Sequence, residues 1–115
     1  MINPGDEAEY FWVFPNLMIN VYPDNFSTNL IVPDGHGRTR TIFDWYFENA
    51  SDPSVRNEVD RTVAFSDEIQ LEDIAICEAV QRGLSSRTYD RGRYSVAREN
   101  GVHHFHSLIE EFTRG

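Results

Sequence analysis

Hydrophobic and polar positions alternate through the first half of the chain and recur at helical spacing through the second, the pattern of an α+β domain. From Arg38 to Asn49 the alternation is clear. Thr39, Thr41, Phe43, Trp45 and Phe47 fall on one side, and Arg38, Arg40, Asp44 and Glu48 on the other, so one side meets a core and the other meets water. Tyr10 to Phe14 reads as an aromatic strand, interrupted by Pro15-Asn16 and continued by Leu17 to Tyr22. There Leu17, Ile19 and Val21 share one side, and Met18, Asn20 and Tyr22 the other. Phe26 to Val32 is a second strand, and Pro33-Asp34-Gly35-His36-Gly37 carries the turn residues of a hairpin loop. The Phe43, Trp45 and Phe47 ladder reads as core packing.

After Asn49 the period changes. Ala50 to Val55 is a polar Ser/Asp/Pro linker, a helical stretch runs from about Asn57 to Phe65, and a main helix follows over Ser66 to Ser86. Ser66 suits its N-cap, Asp67 and Glu68 its positive end, and Arg82-Gly83 its C-terminal end. At about 100° per residue, Ile69, Ile76, Cys77, Val80 and Leu84 share one face and Asp73 points into its centre. A lone carboxylate in such a place is costly, so it is paired with an arginine, caps a neighbouring element, is protonated or binds a metal. Asn20 poses the same question on the sheet, because an amide facing the same way as Met18 and Tyr22 needs a partner if buried. An irregular segment rich in Arg, Tyr and Gly runs to Gly101. A last helix, Val102 to Thr113, aligns Val102, Phe105, Ile109 and Phe112. No internal repeat interrupts this order.

With 115 residues, 40% of them hydrophobic and 13% aromatic, the chain makes one small domain at most, with a core of its own. A net charge of −9 argues against nucleic-acid binding, which needs a basic face. All ten basic residues are arginine. No apolar run reaches membrane-spanning length, and no basic stretch followed by an apolar core opens the chain. A cytoplasmic location follows as the expectation, with Cys77 a reduced, buried thiol. His103, His104 and His106 stand close in sequence, but His103 and His106 can share a helix face without converging on Asp73.

The stretches LEDIAICEAVQRGLSS, YDRGRYS and ENGVHHFHSLIEEF, with PNLMINVYPDNFS before them, resemble the C-terminal part of the catalytic alpha subunit of Rieske non-heme iron oxygenases. The branch most similar acts on quaternary ammonium compounds such as choline, glycine betaine and carnitine. The resemblance implies the second half of a helix-grip (START/SRPBCC-like) domain, so that residues 1–115 are a partial catalytic domain without the Rieske domain. It implies that Asp73 is the anionic member of a two-histidine, one-carboxylate set on mononuclear Fe(II). It also places Tyr10, Trp12, Met18, Asn20 and Tyr22 beside the substrate, with the aromatic rings available for cation–π contacts. Electrons are implied to come from NADH through a reductase and a [2Fe-2S] Rieske cluster, and the substrate to be hydroxylated or N-demethylated. That cluster takes two Cys and two His, whereas this chain has one cysteine, and no H-x4-H pair occurs among its histidines. The implied partners are therefore a half carrying the Rieske and two-histidine segments, a reductase, and further copies in the family's trimer. Two alternatives are an iron-free helix-grip binding module with an ion-paired Asp73, and a truncated product that self-associates.

Overall fold

A computed structural model describes residues 8–115. Four antiparallel strands in sequence order, β1 (Glu9–Val13), β2 (Leu17–Val21), β3 (Asn25–Pro33) and β4 (Thr39–Phe47), are followed by two helices, α1 (Pro53–Leu84) and α2 (Asn100–Thr113). The α+β reading is borne out. So is the β3–β4 hairpin, whose loop turns through Gly35 and Gly37, both at φ 86°, where a side chain would be strained. Leu17 to Tyr22, however, does not continue β1. The chain reverses at Pro15-Asn16, and β2 returns beside β1 with Tyr10 opposite Asn20 and Trp12 opposite Met18.

The register sorts the strands into two faces. On the inner face lie Tyr10 and Trp12, Met18 and Asn20, Ser27, Asn29 and Ile31, and Thr41, Phe43 and Trp45. Along β4 only Phe43, Trp45 and Phe47 are half-buried, as the alternation required. Against this face, at the β1–β2 end, sits α2. The Phe105 ring is 5.3 Å from Trp12, and Phe112 is 5.0 Å from Phe14 in the adjoining turn. The predicted stripe of the last helix thus supplies these contacts.

The two-helix reading of residues 57–86 is corrected: α1 is one helix of 32 residues. It begins at Pro53, inside the expected linker, with Asp52 as N-cap, its carboxylate accepting from the Ser54 backbone N–H at 3.0 Å and hydroxyl at 2.9 Å. Ser66 is therefore an interior residue. Neither proline nor glycine interrupts Val55 to Gln81, so nothing there stops the helix. At 1.5 Å per residue α1 is about 48 Å long, and the molecule's longest dimension is 54 Å.

The expected core is also corrected. Among the described residues no hydrophobic side chain is buried, and Ser27, 6% exposed, is the buried polar residue. The chain exposes 10071 Å², half as much again as the roughly 6,500 Å² of a folded monomer of its mass. Its radius of gyration, 17.6 Å, exceeds the roughly 13 Å of a compact chain of this length. The first half of α1 presents a half-buried stripe, Val55, Val59, Thr62, Val63, Ser66 and Gln70, at helical spacing. From Leu71 to Leu84 every residue is exposed. Cys77, expected to be buried, lies in this stretch and is an exposed free thiol. The apolar stripe is present as predicted, but no described element covers it.

Candidate functional site

The residues singled out from the sequence fall into two groups. Tyr10, Trp12, Met18 and Asn20 share the inner face by register, and Tyr22 joins them just past β2, its ring 6.1 Å from Tyr10 and edge-on to it. The neighbouring Tyr10 hydroxyl, together with partial burial, pushes the Tyr22 phenol up to about 12. Asn20 has the partners it needs. Its Nδ2 donates to Ser27 Oγ at 3.1 Å and to Asn29 Oδ1 at 3.3 Å. Both amide protons are thereby engaged, and among the described residues the Asn20 carbonyl oxygen accepts nothing, leaving an oriented acceptor on an aromatic-lined surface.

Ser27 and Asn29 were not singled out from the sequence. The signal was there: a hairpin centred on His36 pairs them with Trp45 and Phe43, and a turn at Pro23-Asp24 sets Ser27 beside Asn20. Toward α2 the inner face opens into a cleft of about 380 Å³ lined by Trp12, Met18, Ile31, Val102 and Phe105. On the far side of α2, Tyr94 packs edge-on against His103 at 5.0 Å and hydrogen-bonds His106 Nδ1. His104 is edge-on to Trp12 at 6.1 Å. The three histidines thus pack against aromatic rings.

Asp73 stands apart. It lies in the exposed half of α1, next to Ile69, Ile76 and Val80, which are 40%, 63% and 56% exposed. The expectation that its surroundings bury it is not met in this chain. Among the described residues it has no ion-pair partner and no side-chain hydrogen bond, so the arginine pairing weighed as an alternative does not form. No group of three or more His, Cys, Asp or Glu among the described residues is placed to hold a metal ion. As a metal donor, Asp73 offers one free carboxylate at the centre of an apolar stripe, which fits a single anionic ligand. The described residues lack the rest of a set. No helix of the described residues is long and apolar enough to cross a membrane.

The model of the ring hydroxylating alpha subunit (catalytic domain) matches residues 3–115, and the chain belongs to that family. Among curated proteins it is similar to the chloroplastic choline monooxygenase of Arabidopsis thaliana, 43% identical over 91% of this chain and 24% of that protein. The chloroplastic choline monooxygenase of Beta vulgaris is 36% identical over 93% of this chain and 24% of its own length. The carnitine monooxygenase oxygenase subunit of Escherichia coli (strain K12) is 31% identical over 93% and 31%. The chain spans about a quarter of the length of the choline monooxygenases it matches. No solved structure matches it. Membership carries the family's iron and iron–sulfur chemistry as its setting, and an α+β sheet with two helices is consistent with its catalytic domain.

Proposed function

We propose that this chain is the carboxylate-bearing part of the catalytic domain of a Rieske-type iron oxygenase that acts on a small quaternary ammonium alcohol. The family match over residues 3–115 carries the oxygenase reading. Asp73 would hold Fe(II) as its anionic ligand, and two histidines would come from a partner segment that also brings the [2Fe-2S] cluster. Bound iron supplies oxygen activation, driven by electrons from NADH through a reductase.

The part of this chain is to bind and orient the substrate. The faces of Tyr10, Trp12 and Tyr22 attract a trimethylammonium group, each contact being worth about 0.5–2 kcal/mol. The free carbonyl oxygen of Asn20, held by Ser27 and Asn29, accepts a hydrogen bond from a substrate hydroxyl. No arginine, lysine or histidine lies on the inner face of the four strands. The higher identity to a choline monooxygenase, 43% against 31% for the carnitine enzyme, favours a choline-like alcohol over a carnitine-like acid. Association of copies belongs to the same reading, as does the cytoplasmic location. The plant relatives are named chloroplastic, and cell fractionation decides between the compartments.

The test is oxygen-dependent turnover in a complex of this chain with a segment carrying the Rieske and H-x4-H motifs and with a reductase. Consumption of choline faster than of carnitine is expected. Turnover of neither, in a complex that binds iron, would sink the substrate reading.

A further inference from the structure

The side-chain hydrogen bonds on the inner face of the sheet run one way. Asn20 on β2 donates to Ser27 Oγ and Asn29 Oδ1 on β3, which leaves a free acceptor toward β1 and free donors toward β4. Among the described residues the Ser27 hydroxyl proton and the Asn29 amide protons are given to no acceptor. Ser27 is 6% exposed, and a donor held there without an acceptor is costly. Beyond these donors the face turns aromatic again. By register Trp45 stands opposite Ser27 and Phe43 opposite Asn29, both half-buried, their rings stacked 5.7 Å apart. The substrate contacts given above use Tyr10, Trp12, Tyr22 and Asn20 and leave the β3–β4 half without a task.

We propose that this half is a second subsite, for a quaternary ammonium compound whose oxygen only accepts hydrogen bonds, a carbonyl. The cation lies against Phe43 and Trp45, and the carbonyl oxygen accepts from the Asn29 amide and the Ser27 hydroxyl. An ammonium two carbons from an oxygen bridges side chains on neighbouring strands, about 4.8 Å apart, so each half of the face is the size of one such ligand. The two halves read opposite oxygens. Beside Tyr10 and Trp12 the free acceptor of Asn20 takes a hydroxyl and is left unpaired by a carbonyl. Beside Phe43 and Trp45 the free donors take a carbonyl, while a hydroxyl bound to them leaves its own proton unpaired. The subsite rests on the quaternary ammonium reading for its cation and on the hydrogen-bond direction for its oxygen.

The experiment is a heteronuclear NMR titration of the whole 115-residue chain with tetramethylammonium, choline and the ketone acetonyltrimethylammonium. Trp12 and Trp45 are the two tryptophans of the chain, one in each half, so their indole N–H signals report the halves separately. Tetramethylammonium shifts both. Choline favours the Trp12 half, and the ketone favours the Trp45 half and moves the Asn29 side-chain amide. Asn29→Asp keeps an oxygen to accept from Asn20 but removes the donor. It lowers the affinity of the ketone relative to tetramethylammonium at Trp45 by about fivefold, the worth of one hydrogen bond. Trp45→Leu abolishes the ketone's shift of the Asn29 amide, while choline still shifts Trp12. A ketone that favours the Trp12 half, or that is indifferent to both substitutions, overturns the second subsite, and choline binding at Trp12 then leaves the ammonium reading in place. Binding of no probe to either half overturns both.

Discussion

Asn20 and Asp73 pose the same question, a polar group set among apolar neighbours, and the two regions that carry them answer it differently. On the inner face of the sheet the chain supplies what Asn20 needs, from Ser27 and Asn29 on the adjacent strand. On the second half of α1 nothing comes to Asp73, and the apolar residues around it face water. Both regions lie in a chain that exposes far more surface than a monomer of its mass should. The difference teaches that amphipathic patterning specifies a cover without saying which chain provides it. For the sheet the partner is another strand of the same chain; for Asp73 the described residues supply none, and the proposed function places it elsewhere.

The largest expected effect breaks this comparison at Asp73. In a complex that supplies the histidines, Asp73→Ala lowers turnover by on the order of 1,000-fold or more, because an iron site short of its anionic ligand loses both affinity and geometry. In the isolated chain the same change moves stability by less than about 0.5 kcal/mol, since the side chain is exposed and unpaired. A loss near 3 kcal/mol in thermal melts of the isolated chain would reveal a structural ion pair instead.

A second contrast compares the two halves of α1 directly. Val63→Asp, in the half-buried stripe, costs the isolated chain about 1–3 kcal/mol by desolvating a charge. Val80→Asp, in the exposed half, costs almost nothing alone and weakens assembly with the histidine-bearing segment. Denaturant melts and pull-down of that segment read the two outcomes.

Smaller effects sharpen the sheet side. Ser27→Ala removes one acceptor from the Asn20 amide at a buried position and costs about 1 kcal/mol in urea melts. Tyr22, pushed up to about 12, titrates above the free phenol range in ultraviolet absorbance, and Tyr10→Phe brings it down. Because the raised value belongs to the folded state, its stabilising contribution is whole below the free phenol range near 10 and fades as pH rises toward 12. The sign reverses at the start of α1. There the Ser54 backbone N–H and hydroxyl hold the Asp52 carboxyl below its ordinary range. That cap is intact above the usual carboxylate range and is lost as pH falls through the lowered value, so helical circular dichroism should drop first at this end in acid.

The sequence was legible where local chemistry decides structure. Pro33 to Gly37 announced the β3–β4 turn, and the Phe43, Trp45, Phe47 alternation announced which side of β4 is covered. Tyr10, Trp12, Met18, Asn20 and Tyr22 share one face as read because period-2 geometry survives an error in topology: two strands read as one still keep Met18, Asn20 and Tyr22 together. What failed was whatever depends on context. Ser66-Asp67-Glu68 has the composition of a helix start, yet serine and acids are tolerated inside a helix, and Asp52-Pro53 was the true start. Burial of Cys77 and Asp73 was inferred from the stripe alone, and a stripe reports only that a cover is wanted. Ser27 and Asn29 were passed over because a polar residue in a strand has no meaning until the register sets it against its neighbour.

The central claim is that Asp73 is one ligand of an iron site completed from elsewhere. Iron content after anaerobic Fe(II) loading and desalting measures this for the chain alone and for its complex with a segment bearing the H-x4-H pair. The account predicts no stoichiometric iron on the chain alone, about one iron per chain in the complex, and loss of that iron with Asp73→Ala. Equimolar iron on the isolated chain that survives replacement of His103, His104 and His106, or iron in the complex indifferent to Asp73, would contradict it.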